Sequence, residues 1–238
     1  MFRETLQSGI ISVLYSQGQQ KIKAFVSMGL KKQQYQFLDY VEIQRNLLYI
    51  IASDGKIEVI KDEETKTHVV EIVGQNCSTN YIEGPNIHKD GFGLKLTWLH
   101  ILVKNLKKDF SFVVEVVDHK KQKRRFKFSN WFKDTRVKST VTNIKLKIQE
   151  GWNHFVFDIK HICLKSYGTH LQEIAKMVVN ANCRLRRIYF AEKPVHLHQM
   201  SQIPNDFKVF IQGQNNVNYQ EEPEDEQEEE EEQPADNN

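Results

Sequence analysis

Nine histidines, three cysteines and the carboxylates are the side chains with the widest chemical reach, so their spacing decides whether catalysis is written in the chain. His196 and His198 stand two apart, close enough to share one side of an extended segment and begin a metal site. No third ligand accompanies them, and they read as two exposed loop histidines. Cys77, Cys163 and Cys183 have no partner two to four positions away, the spacing a zinc ribbon or finger needs. His68, His88, His100, His119, His154, His161 and His170 are scattered, and none pairs recognisably with a Ser or Cys nucleophile. His100 and His154 fall in strand-like runs and read as structural. No phosphate-cradling glycine loop, nucleophile elbow or zinc-protease helix is present. The expectation is a protein that is not an enzyme and holds neither metal nor cofactor.

The basic residues are more informative. Lys104, Lys107 and Lys108 form one cluster. Lys120, Lys121, Lys123, Arg124, Arg125 and Lys127 form a second, between two strand-like runs, which reads as a basic hairpin turn. Arg184, Arg186 and Arg187 form a third; strict alternation puts Arg184 and Arg186 on one face and Arg187 on the other. The formal net charge of +2 over 238 residues conceals a polarised chain. Residues 221–238 carry eleven Asp and Glu and no Lys or Arg. The remainder holds 33 basic against 20 acidic residues, an excess of 13. A basic body favours a polyanionic partner: nucleic acid, an anionic membrane or an acidic protein surface. Aromatics do not interleave with these charges as they do on an RNA-stacking platform.

The elements that must position these charges read as strands. Alternation recurs at Ile57 and Val59, at Leu94, Leu96 and Trp98, and at Phe110, Phe112, Val114 and Val116. It recurs again at Phe126 and Phe128 and at Ile144, Leu146 and Ile148. Residues 152–159 and 186–190 complete the set, and many short strands parted by turns predict an antiparallel sandwich or barrel. One helix is predicted over residues 171–179, with Thr169 as its N-cap. Residues 28–51 lack strand alternation; their apolar side chains, spaced by 3, 4 and 7, suit a helix or an ordered insertion. The acidic tail has nothing apolar to bury and is expected to be disordered. No run reaches the roughly 18–20 apolar residues of a membrane span. Residues 1–16 do not read as a secretory signal, and the odd cysteine count suits reduced thiols in the cytosol.

Longer blocks carry a family resemblance. MFRETLQSGIISVLYS (1–16), CSTNYI (77–82), LVKNLKKDFSF (102–112), RRFKFSN (124–130), TRVK (135–138), GWNHFVFDI (151–159), YGTHLQEI (167–174) and ANCRLRRIYF (181–190) occur in this order. They resemble the family of cilia- and flagella-associated protein 20. The resemblance implies an all-β fold: a single antiparallel β-sandwich of jelly-roll type, similar to carbohydrate-binding modules, with one short helix. It also implies a structural role at the inner junction of the ciliary doublet microtubule, where the B-tubule closes onto the A-tubule. The partners implied are tubulin, neighbouring inner-junction proteins and microtubule inner proteins, with no membrane. The implied location is the cytoskeleton of the ciliary or flagellar axoneme, with basal bodies and centrioles as further sites.

On this reading residues 1–213 form one domain, and 26–52 are an insertion atypical of the family. Residues 214–238 are the disordered tail, which either covers a basic patch before assembly or is polyglutamylated. The expected tubulin or partner contacts are the cationic residues of the three clusters from Lys104 to Arg125 and Arg184 to Arg187, with Arg136 and Lys138 from the TRVK block. An intracellular module for nucleic acid or glycan is the alternative, with GWNHFVFDI as an aromatic sugar platform.

Overall fold

The computed structural model describes residues 2–3, 7–16, 49–85 and 91–194. The expectations for residues 26–48, for His88, His196 and His198, and for the acidic tail lie outside the described residues, while residues 49–52, the end of the stretch read as lacking strand alternation, form a strand. The strands, in chain order, are β1 (Ile10–Tyr15), β2 (Tyr49–Ala52), β3 (Gly55–Lys61), β4 (His68–Gly74), β5 (Asn80–Gly84), β6 (Trp98–Asn105) and β7 (Ser111–Asp118). They continue with β8 (Lys123–Ser129), β9 (Arg136–Val137), β10 (Val141–Lys145), β11 (Gly151–Asp158), β12 (Leu171–Asn180) and β13 (Cys183–Ala191); one helix, α1 (Ile159–Tyr167), follows β11.

Two sheets result. The first runs β11-β6-β13-β4-β3, with β1 also paired to β13; the second runs β2-β5-β12-β7-β8-β10-β9. Pairing is antiparallel except for β8 with β10. Among the described residues the chain is thus an all-β sandwich of jelly-roll type with a single short helix.

Alternating side chains from facing strands make its core, as period-2 sequences require. The first sheet contributes Val70, Ile72, Leu99, Ile101, Val103, Phe155, Leu185 and Phe190. The second contributes Ile82, Phe112, Val114, Val116, Phe126, Phe128, Ile174 and Met177. Phe112, Phe128 and Phe157 bridge the two sheets. Phe128 stacks on Phe112 with centroids 4.4 Å apart and meets Phe157 at 4.6 Å.

The helix is not where the spacing predicted it. Residues 171–180 form β12, and the helix lies one segment earlier. The reason is a pair of bulges in β12, between Leu171 and Glu173 and between Ile174 and Lys176. Each inserts a residue and shifts the alternation, so Ile174, Ala175, Met177 and Val178 acquire a helix-like spacing within a strand. In α1, the Asp158 carboxylate caps the N-terminus by accepting from the His161 amide at 3.1 Å. Gly168, at φ +61°, closes the C-terminus with its amide on the Leu164 carbonyl at 2.8 Å. Ile159, Ile162 and Cys163 supply the buried face.

Two strand expectations are also shortened. Leu94 and Leu96 are buried, but only Leu94 bridges another strand, opposite Ile174, before β6 begins at Trp98. β10 stops at Lys145, so Leu146 enters the core from beyond the strand.

Candidate functional site

No group of three or more His, Cys, Asp or Glu among the described residues is placed to hold a metal ion. Cys163 and Cys183 are buried free thiols whose burial pushes them above the ordinary thiol range, away from the thiolate a nucleophile requires. His100 and His154 join in the first sheet, Nδ1 to Nε2 at 3.0 Å, with Tyr189 stacked on His100 at 4.4 Å. The trio is buried.

A cleft of about 490 Å³ opens beside Gly74, Asn76, Lys108 and Asn182. Its amides are largely engaged within the fold. Asn182 Oδ1 accepts from the Gly74 amide at 2.9 Å, and Asn182 Nδ2 donates to the Asp109 carbonyl at 3.3 Å. Nor does GWNHFVFDI offer a sugar platform: Trp152, Phe155 and Phe157 are buried. Trp152 Nε1 donates to Asp62 at 3.2 Å.

The three basic clusters separate into structural and exposed members. Arg184 and Lys104 serve the fold. Both converge on Asp62, a carboxylate whose side chain is 0% exposed. Asp62 Oδ2 accepts from Arg184 Nη1 at 2.9 Å and Lys104 Nζ at 3.2 Å. Its Oδ1 accepts from the amides of Glu64 and Thr65, each at 3.1 Å. Burial alone would raise the Asp62 carboxyl. The hydrogen bonds from Thr65, Arg184, Lys104 and Trp152 outweigh it and hold the group well below the usual carboxylate range. Arg184 Nε also donates to Glu71 at 2.8 Å.

The arginine faces differ from strict alternation. β13 carries a bulge between Leu185 and Arg187, so Arg184 pairs with Lys104 and Arg187 with Leu102. The extra residue, Arg186, resets the parity and returns Arg187 to the side of Arg184. Arg186 and Arg187 are both buried and both lie over the Tyr15 ring, at 4.9 and 3.9 Å. Arg187 also donates to Ser12 Oγ at 2.9 Å.

The second cluster does form a hairpin, β7–β8, and Asp118 builds its turn. Asp118 Oδ1 accepts from the amides of Lys120 at 2.9 Å and Gln122 at 2.8 Å. Arg124 is spent inside: it donates to Asp118 Oδ2 at 3.1 Å and to the Ser139 carbonyl at 2.5 Å, and covers the Tyr167 ring at 4.4 Å. Lys120, Lys121 and Lys123 project from the turn and are exposed. Lys121 reaches Gln172 at 3.0 Å, and Lys123 approaches Glu115 at 3.7 Å. Arg125 is exposed but pairs with Glu115 at 2.8 Å, and exposed Lys107 pairs with Glu150. Lys108, Arg136 and Lys138 are exposed as well; Arg136 Nη2 lies 3.8 Å from Asp134.

The geometry therefore gathers exposed cations on the hairpin tip and along the β8–β10–β9 side of the second sheet. The sequence hid the ion pairing of the partly buried Lys104, Arg124 and Arg184, because a charge cluster does not reveal the carboxylates folded against it.

The fold defines a class, an all-β sandwich whose second sheet carries exposed cations. The chain belongs to the family of the CFA20 domain, whose pattern matches residues 28–211. It is 35% identical to "Cilia- and flagella-associated protein 20" of Paramecium tetraurelia and 36% identical to that of Chlamydomonas reinhardtii. Each alignment spans 211 residues, 89% of this chain and 97% of the relative. The Caenorhabditis elegans protein of the same name is 35% identical, covering 89% of this chain and 91% of the relative. These relatives tie the chain to cilia and flagella. A solved structure titled "Structural analysis of an exo-beta-agarase" superposes with a TM-score of 0.34 at 8% identity, covering 65% of this chain and 24% of that one. No helix among the described residues is long and apolar enough to cross a membrane.

Proposed function

We propose that the chain is a non-enzymatic structural protein of the axoneme that binds doublet microtubules at or near the inner junction, linking A- and B-tubules and supporting cilium stability and motility. The observation that carries this reading is the near full-length similarity to cilia- and flagella-associated protein 20. The exposed cations suit an acidic filament. Charge complementarity sets orientation and association rate, while each exposed pair contributes only about 0–1 kcal/mol. Retention on a filament then comes from repetition of a modest contact along the lattice. Tubulin is the first partner on this reading, followed by neighbouring inner-junction proteins and microtubule inner proteins. Basal bodies and centrioles are further locations.

The contact residues proposed are the exposed members of the expected set: Lys107, Lys108, Lys120, Lys121, Lys123, Arg125, Arg136 and Lys138. Lys104, Arg124, Arg184, Arg186 and Arg187 hold the sandwich together instead. Reversing Lys120, Lys121 and Lys123 to Glu lowers microtubule affinity in co-sedimentation about tenfold at low salt, and the difference shrinks as salt screens it. The melting temperature stays close to that of the wild type, because all three side chains are exposed. Unchanged affinity in the triple variant would remove the hairpin from the binding surface.

A further inference from the structure

Three large hydrophobic side chains are exposed among the described residues: Trp131 at 38%, Val137 at 53% and Leu164 at 43%. Two of them lie in the excursion that links β8 to β10. Trp131 meets Phe132 edge-on, with centroids 5.7 Å apart, and Lys127 Nζ lies 5.7 Å from the Trp131 ring and 5.9 Å from the Phe132 ring.

This excursion is anchored. Asn130 ties its start to the segment before β7: its side chain accepts from the Phe110 amide at 3.0 Å and donates to the Lys108 carbonyl at 2.8 Å. The Lys138 amide donates to the Val141 carbonyl at 2.9 Å and closes the turn between β9 and β10. The two-residue β9 ends the second sheet, so its outer edge has no strand partner among the described residues. From Lys127 to Lys147, ends included, stand six Lys and Arg against one acid, Asp134. The Arg136–Asp134 pair is more than two-thirds exposed on both sides and neutralises little.

A fixed Trp, a neighbouring apolar side chain, a cationic rim and an open strand edge are the components of a protein-docking site. We propose that the Trp131–Val137 edge docks an extended acidic segment of another protein, which lays carboxylates against Lys133, Arg136 and Lys138 and sets an apolar side chain against Trp131. The acidic run at the end of the chain's own tail has the charge but no anchor within it. Residues 221–238 contain no aromatic residue and no aliphatic one larger than Ala235 apart from two prolines. Arg136 and Lys138 also belong to the proposed microtubule contacts, whereas Trp131, Lys133 and Val137 lie outside them.

The test uses the full chain and three synthetic peptides: one of alternating Glu and Leu, one of Glu alone, and one copying residues 221–238. The alternating peptide is expected to bind at least tenfold more tightly than the other two and to shift the tryptophan emission to the blue. Trp131→Ala and, separately, Val137→Ser should reduce that advantage, with Trp131→Ala also abolishing the spectral shift; Trp98 and Trp152 remain in both variants. Equal binding of the three peptides, or full binding by Trp131→Ala, overturns the proposal. Microtubule co-sedimentation of the same proteins separates the two readings. Peptide binding without microtubule binding sinks the filament reading alone. Microtubule binding with equal peptide affinities sinks the docking edge alone.

Discussion

Phe128→Ala is expected to lower unfolding free energy by about 3–5 kcal/mol, measured by urea denaturation followed through tryptophan emission. Phe128 is fully buried, between Phe112 of its own sheet and Phe157 of the other. Truncation removes the transfer free energy of a phenyl ring and leaves a cavity that two rigid sheets cannot close. It also removes two aromatic contacts, each worth about 0.5–1.5 kcal/mol beyond area. Phe128→Leu should restore more than half of the loss, since it refills most of the volume. A loss under about 1 kcal/mol for the alanine variant would mean that the sheets move together and that this trio is not the bridge described.

Arg184→Met is the second large effect. It strips Asp62 and Glu71 of a shared partner while the Asp62 carboxylate stays buried, and breaking such a buried pair from one side costs about 3–5 kcal/mol. Lys104 remains on Asp62, so the lower end of that range is expected. Adding Asp62→Asn to Arg184→Met should recover part of the loss, because the buried charge goes with its partner.

The pH dependence has a definite sign. The Asp62 carboxyl is held below its ordinary value in the folded chain, so near and below pH 4 the unfolded chain takes up a proton that the folded chain refuses. Its contribution is therefore full at neutral pH and is lost as pH falls below about 4 to 5. In Arg184→Met the folded-state value rises toward the ordinary one, and the acid-induced loss of stability becomes shallower. An identical acid profile in wild type and variant would show that Arg184 does not hold Asp62 ionised.

Much of this architecture was legible in the residues. Phe110, Phe112, Val114 and Val116 alternate without interruption, and all four are in the core. The β7–β8 turn was readable because a run of cations interrupts two apolar alternations. The errors fall at bulges. β12 carries two inserted residues and β13 one; in β12 they mimic a helix, and in β13 the insertion moves Arg187 to the face of Arg184. Bulges depend on cross-strand pairing between segments far apart in the chain, which local periodicity does not contain.

The division of the clusters into structural and exposed cations was equally hidden. Asp62 lies 42 residues from Lys104 and 122 from Arg184. Trp131 did carry a signal, an aromatic pair set among polar and charged neighbours, SNWFKD, where no alternation gives it a core to enter. Its exposure, and the open strand edge beside it, emerge only from the folded sheet.

The most direct test of the central claim, that this is a doublet-binding protein of the axoneme, is localisation of the endogenously tagged chain in a ciliated cell, followed by salt extraction of the isolated axonemes. The account predicts signal along the axoneme and retention through moderate salt, because many repeated contacts must release together. A chain found in cytosol or nucleus and absent from cilia would contradict it.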